Sequence, residues 1–373
     1  MVRTDIIAHL DDLDRLAGAW DEVTRESHWA SAFASHAFAA HWYRCFAEPD
    51  AVRVYPIVSG GRTVGFVPLV FESASGRRVL RSLTNLHCMH STPAIRDGYE
   101  DEFSRTLTRT LAGTCDWDVL QYDCSYSFLP APRPFDEQTA AAAGLHIRES
   151  HEVTFSVALP ATFEEYCSKH LTPNSKKNYH RMRNRLARAG QSAVRAFHGS
   201  DALPEFPEFV AIENAGWKGD RGTSIQKLDA SYRAFYQGLL GLLAARDELS
   251  LYFLELNGRR IAGVLGYVEG DVFHWFKTGY DEAFSEFAPS NLLLVGIIED
   301  LLRHRPAIRR FHMFPSDFGY KHRYANETPQ CISTIVYNRT VRGRLSRVGA
   351  DARAAASHVP GARAVVEAIR RAC

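Results

Sequence analysis

The sequence predicts an α/β protein with mixed sheets, built as two tandem halves with a basic helical tail. Three observations carry this. The chain has 373 residues, enough for two domains of ordinary size. A hairpin, then a helix, then a buried strand occurs in that order twice. The two hairpins also share a signature: Gly60, Arg62, Val64 and Gly65 match Gly258, Arg260, Ala262 and Gly263, each pair 198 residues apart. Prolines at 130, 132 and 134 mark a boundary near 130–150, which gives halves at 1–150 and 151–338 and a tail at 339–373. The first half is expected to be a degenerate copy without an active site.

Each element follows from periodicity and turn chemistry. Phe38, Trp42, Cys45 and Phe46 fall on one helical face within 35–48. Val52–Ser59 and Thr63–Phe71 read as strands around a Gly60-Gly61 turn. Phe103, Leu107 and Leu111 mark a helix, and Trp117–Tyr122 a buried strand. In the second half, helices are expected at about 174–189, 205–216 and 229–245. Strands 251–256 and 261–268 flank Asn257-Gly258, a strong hairpin turn. Val272–Tyr280 is a further strand, Asn291–His304 an apolar helix, and Ile308–Phe314 and Gln330–Tyr337 the last strands.

Composition narrows the functional classes. Hydrophobic residues make up 46% and charged residues 23%, with 44 Lys+Arg against 43 Asp+Glu. That balance gives no reason to expect DNA as a partner. The acidic N-terminus lacks a signal-peptide core, and no run of about 18 apolar residues suggests a membrane span. The seven cysteines are scattered without a Cys-x-x-Cys pair, which points to reduced thiols and a cytoplasmic location. His87, Cys88 and His90 lie too close together on a strand-like segment for zinc, so no metal is expected. Serine-hydrolase, zinc-protease and P-loop motifs do not occur.

The second half carries an ordered set of motifs. Ser175-Lys176-Lys177 opens a basic helix, and Gly216-Trp217-Lys218-Gly219 precedes Gly222-Thr223. Asn257-Gly258 is followed by Ile261-Ala262-Gly263, and Thr278-Gly279-Tyr280-Asp281 by Ala288-Pro289-Ser290. Tyr320-Lys321 lies beyond the strand at 308–314. Together these motifs resemble the cellulose-biosynthesis (CelD-like) acetyltransferases of the GNAT superfamily and, more distantly, the FemX-type peptidyltransferases. The resemblance spans residues 30–338. It implies tandem GNAT-like domains and transfer of an acyl group from acyl-CoA, acetyl-CoA by resemblance. The acceptor it implies is an amine or hydroxyl of a small molecule or of a cell-surface polysaccharide precursor. It places the donor's pyrophosphate at the start of the helix after 272–280, where free N–H groups and the helix dipole favour an anion. Ser290 and Asn291 stand there, Ser290 either capping the helix or donating to phosphate. One departure is plain: no glycine occurs between Gly279 and Gly296, where many relatives have a glycine-rich phosphate loop. Two other readings therefore stay open. One is FemX-like transfer from aminoacyl-tRNA. The other is a catalytically silent pair that binds a ligand and regulates envelope-polymer synthesis.

Several residues are candidates for the chemistry. Asp317 is expected to orient an ammonium acceptor and Tyr320 to protonate the departing thiolate, its ordinary value near 10 matching a thiol. Lys321 is a candidate partner for donor phosphate or a substrate carboxylate, and Lys176 for donor phosphates. The helix around Lys176 has seven Lys/Arg between Lys169 and Gly190 and no acid; it is either a solvated face or an anion-binding wall for CoA, glycan or tRNA. Trp217 and Lys218 either line the acceptor cleft or form a lid behind a cap at Gly216. His274 is either a substrate contact or a satisfied core histidine, with Trp275, Lys277 and Gly279 on the opposite face of its strand. The tail holds eight arginines against Asp351 and Glu367, and is either a helical extension or a peripheral contact with anionic lipid.

Overall fold

The computed structural model describes residues 6–28, 31–90, 92–129, 134–315 and 318–357. Along the chain the strands are β1 (Val52–Ser59), β2 (Arg62–Ala74), β3 (Arg77–Ser82), β4 (Ala94–Ile95), β5 (Val119–Tyr126), β6 (His146–Val153), β7 (Ser156–Ala158), β8 (Ser192–His198), β9 (Leu249–Leu256), β10 (Arg259–Glu269), β11 (Val272–Tyr280), β12 (Arg310–His312) and β13 (Gln330–Tyr337). They form two mixed sheets. One is ordered β1-β2-β3-β5-β13-β6, with β4 on β2, and the other β7-β12-β11-β10-β9-β8.

The two sheets repeat one pattern. An antiparallel run ends in one parallel pair, β3 with β5 and β11 with β12. Each parallel pair is bridged by a helix, Glu100–Ala112 in the first half and Pro289–His304 in the second, as a parallel connection requires. The hairpins match in detail. Both turns have two residues of positive φ, Gly60-Gly61 and Asn257-Gly258, the conformation that suits a twisted two-residue hairpin. Each hairpin then carries a bulge three residues on, at Val64 and at Ile261. These equivalences set the repeat at 197 residues (258 − 61), one short of the offset read from matching letters. The letters at 198 coincide; the turn and the bulge fix the true register.

The last strand departs from the sequence expectation. β13 belongs to the second half of the chain but lies in the first sheet, antiparallel to β5 and β6. In turn β7 completes the second sheet beside β12. Strand 308–314 is also shorter than expected, with only Arg310–His312 paired. The halves further share a core. The Phe38/Trp42/Phe46 stripe of helix His36–Phe46 packs against helix Ala230–Ala245, with the Phe46 and Phe235 ring centroids 5.1 Å apart. The basic helix spans Pro173–Ala189 and buries Tyr179, Met182 and Leu186, leaving its charges outward. The tail forms a helix over Val341–Ser357; the residues after it, 358–373, lie outside the described residues.

Candidate active site

β11 and β12 pair over only three residues, Val272–His274 against Arg310–His312. β12 then ends, while β11 runs on to Tyr280. From Trp275 onward the main chain of β11 thus has no strand neighbour on that side and turns its edge to a gap. A cavity of about 760 Å³ fills this gap, within the size range of small-molecule sites. Its walls are Trp275–Tyr280, the turn after β12, the start of helix Pro289–His304, the Gly216–Lys218 segment, and Leu86 and Met89 from the first half.

Lys277 and Glu213 form the ionic centre. β11 bulges at Phe276: Leu265 pairs with Lys277, and Gly266 with Trp275. A bulge reverses side-chain alternation beyond it. Lys277 therefore leaves the Trp275 face expected from simple alternation. Its ammonium lies 5.1 Å from the Tyr236 ring centroid and 3.7 Å from Glu213 Oε1. Glu213, at the end of helix Phe206–Asn214, is fully buried. Its Oε1 accepts from Lys218 Nζ at 2.9 Å and its Oε2 from the Ile225 N–H at 2.8 Å. Lys218 Nζ also donates to the Thr278 carbonyl at 2.8 Å. Close approach makes this network reachable. A Cβ at Gly279 would sit 2.6 Å from Glu213 Cα, and one at Gly219 1.9 Å from the Asn214 carbonyl. Burial lowers Lys277 to about 8; Glu213 opposes the shift and Lys218 adds to it. A lysine so placed can exchange a proton near neutral pH.

The turn after β12 forms the opposite wall. Tyr320 is half-buried there and stacks with Phe318 at 6.3 Å. Burial pushes its hydroxyl up to about 12, above the value on which the sequence argument relied. Phe314, in the same wall, has a φ of 57°, uncommon for a bulky side chain. Lys321 holds this turn. Its ammonium is buried and donates to the Phe314 and Pro315 carbonyls at 3.0 and 2.9 Å. The structure thus directs Lys321 to the backbone, where the sequence reading had assigned it to phosphate.

The anion end differs from a glycine loop. Ala288 takes the left-handed conformation, φ 51° and ψ 55°, as the residue that caps helix Pro289–His304. The cap is thus Ala288 and not Ser290, which is the second residue of the helix, so the capping alternative is not realised. Pro289 has no N–H to offer, and the N–H groups of Asn291 and Leu292 donate to the Ala288 carbonyl. Ser290 and Asn291 nevertheless line the cavity, as do Arg221 and Arg323.

The structure brings together most of the residues singled out from sequence. Tyr320, Lys321, Ser290, Asn291, Trp217 and Lys218 all line the one cavity. Trp217 starts a one-turn helix, Trp217–Asp220, and remains 43% exposed at the mouth. Asp317 lies outside the described residues. Lys176 is exposed and is not among the lining residues. Its helix reaches the site's edge through Arg185, which pairs with Glu286 just before the helix start. His274 is not in the cavity wall. It is fully buried between Glu269, at 3.5 Å, and His312, with 3.1 Å between the two Nδ1 atoms. His90 of the first half reaches the same Glu269 at 3.0 Å. Sequence reasoning missed the pairing of Lys277 with Glu213. The available signal was a lysine in the mostly apolar strand β11 and a glutamate at the end of helix Phe206–Asn214.

Residues 173–322 match the family model described as acetyltransferase (GNAT) domain. Two solved structures align over nearly the whole chain. FemX does so at 10% identity and a TM-score of 0.55, over 89% of this chain and 98% of that one. The second half has the GNAT fold. The C-terminal domain of a protein assigned as lysylphosphatidylglycerol synthetase in Agrobacterium fabrum aligns at 12% identity and a TM-score of 0.53, over 91% and 96%. No curated protein matches the chain in sequence. The gap that holds the cavity thus lies between the two parallel strands of the GNAT half. No helix among the described residues is long and apolar enough to cross a membrane.

Proposed function

We propose that the protein is an acyltransferase that moves an acyl group from an acyl-CoA thioester to an amine or hydroxyl in the β11–β12 gap. The observation that carries this is one cavity in which an unpaired strand edge, Lys277 and Tyr320 converge. In the reaction, neutral Lys277 takes a proton from the acceptor. The nucleophile attacks the thioester carbonyl, the carbon–sulfur bond breaks, and the Tyr320 hydroxyl protonates the departing thiolate. Burial raises a thiolate beside Tyr320 as it raises Tyr320 itself, which keeps the two comparable. Asp317, proposed on the sequence alone, is the acceptor-orienting carboxylate. The acceptor class implied by the resemblance is a small molecule or a cell-surface polysaccharide precursor, and acetyl is the acyl group it implies.

The test is native mass spectrometry with acetyl-CoA and longer thioesters, followed by release of free CoA when amine and hydroxyl acceptors are added. A one-to-one complex with turnover is expected. Binding with no turnover on any acceptor would favour a silent ligand-binding pair. A second reading, transfer from aminoacyl-tRNA, is supported by the missing Pro289 N–H, the Asn291 and Leu292 N–H groups committed to Ala288, and the likeness to FemX. Transfer from charged tRNA, with no complex of any CoA thioester, would establish it in place of the first.

A further inference from the structure

The mouth of the cavity is apolar where a surface should be polar. Nine large apolar side chains are exposed among the described residues, and three of them, Leu86, Trp217 and Phe318, line this cavity. They come from three separate segments, one of them in the first half, so no local sequence cause brings them together. Leu86 is 88% exposed and Phe318 56%. Clustered exposure of this kind marks a binding surface. Inside the mouth the apolar wall continues through Met89, Phe276 and Phe314. The charges around it have one dominant sign. Among the described residues, Lys218, Arg221, Lys277, Lys321 and Arg323 line the cavity, and Glu213 is the one acid with them. Lys218 and Lys277 are engaged with Glu213, and Lys321 with backbone carbonyls. The cations left at the rim are Arg221, which lies 5.2 Å from the Trp217 ring centroid, and the exposed Arg323.

A short acyl group would occupy the gap beside β11 and leave Leu86, Trp217 and Phe318 in water. A ligand that covers them must be long and apolar, and one that meets Arg221 and Arg323 must be anionic. We propose that the cavity takes an amphiphile: a linear chain of about eight carbons or more along Leu86, Trp217 and Phe318, with a phosphate-bearing head at the two arginines. This rests on the acyl-transfer reading of the same cavity and extends it from acetyl to long chains. The chain belongs either to the acyl donor or to a lipid-like acceptor, and the chemistry of recognition is shared.

The experiment titrates the full chain with acyl-CoA thioesters of two, four, eight and twelve carbons, each below its micelle concentration, with CoA alone as reference. Butyl phosphate and dodecyl phosphate form a second series without CoA. Quenching of the Trp217 and Trp275 fluorescence reports binding, since both rings line the cavity. Each buried methylene strengthens binding by about fourfold, so Kd is expected to fall by at least ~10²-fold between four and twelve carbons. The variants Leu86→Ser and Phe318→Ser alter exposed side chains and should flatten that chain-length dependence in the series that shows it. Arg221→Gln should weaken all phosphate-bearing ligands. If Kd is equal from two to twelve carbons, the amphiphile proposal is wrong and the acyl-CoA reading stands. Should the alkyl phosphates show the dependence while no thioester binds, the amphiphile stands and the CoA donor falls. Failure of both series to bind overturns both. An undiminished dependence in Leu86→Ser and Phe318→Ser also overturns the proposal, because the chain then lies elsewhere.

Discussion

If Lys277 is the base, its protonation sets the pH dependence of the reaction. Burial lowers it to about 8 from its ordinary value of 10.5. At pH 7 a group with that value is about one-tenth neutral, so kcat/KM should rise about tenfold per pH unit below 7 and level off above 8. Two neighbours move this inflection in opposite directions. Glu213 Oε1, 3.7 Å away, favours the ammonium. An opposite charge at such a distance shifts a value by about 1–3 units, so Glu213→Gln should bring the inflection to about 7 or lower. Lys218 disfavours the ammonium, and Lys218→Met should move the inflection upward. Lys277→Arg keeps the charge but cannot lose it, and should cost roughly 10²-fold or more at all pH values. The assay is kcat/KM from pH 6 to 9.5 for each variant, with thermal melts to confirm folding, because all three substitutions fall in one buried ionic cluster. Wild-type activity without an inflection near pH 8, or the same direction of shift in Glu213→Gln and Lys218→Met, would show that Lys277 is not the base.

Four other outcomes follow from the structure. Tyr320→Phe should lower turnover by roughly 10²-fold with an unchanged melting temperature, as loss of a general acid predicts; near-full turnover would remove that role. Lys321→Met strips the donors from two carbonyls in the strained turn and should destabilise the fold by about 2–5 kcal/mol in urea unfolding; a phosphate-binding role would instead raise donor KM without loss of stability. Ala288→Gly relieves a left-handed alanine and should raise stability by about 1 kcal/mol, checked in the same assay. Burial holds the buried His274 and His312 below the ordinary histidine value of 6.5. Their contribution to stability is intact above that value and is lost as pH falls beneath it, by up to ~1.4 kcal/mol per pH unit for each; unfolding free energies equal at pH 7.5 and 5.5 would contradict this.

Local chemistry made much of the fold legible from sequence. Asn257-Gly258 and Gly60-Gly61 announce hairpins because few residues tolerate positive φ at both turn positions. The Phe103/Leu107/Leu111 stripe announces its helix because a single face is buried. What sequence did not disclose depends on long-range pairing. An alternating strand such as Gln330–Tyr337 states that it pairs, and nothing in it says that the partners are 119–126 and 146–153. The same limit hid Lys277. A two-residue period places it with Trp275, and only the bulge at Phe276, set by pairing with Leu265 and Gly266, turns it toward Glu213. The site was legible as a region because Trp217, Ser290 and Tyr320 flank glycines or start helices, the places where a chain turns toward a cleft. The roles within it were not, because Lys218 and Lys321 are claimed by protein groups that sequence does not reveal.

The two halves share a four-strand pattern, yet the cavity described above opens beside the parallel pair of the second, and the reason is electrostatic as well as steric. In the second half the helix that bridges the parallel strands has no acid in its first turn. Its counterpart in the first half opens with Glu100, Asp101 and Glu102. A helix N-terminus carries roughly half a positive charge, which three carboxylates already offset, so a further anion there would be repelled. The strand geometry points the same way. β3 ends at Ser82, one residue beyond its pairing with β5, whereas β11 continues six residues past its pairing with β12. The chain after β3 turns instead into the other half. His87 Nδ1 lies 2.9 Å from the Tyr236 hydroxyl, His90 bonds Glu269, and Leu86 and Met89 enter the cavity wall. The segment that would have been an open strand edge in the first copy has become part of the enclosure of the second. The second half supplies the unpaired edge and the lysine, and the first supplies part of the wall, so neither half alone encloses the cavity.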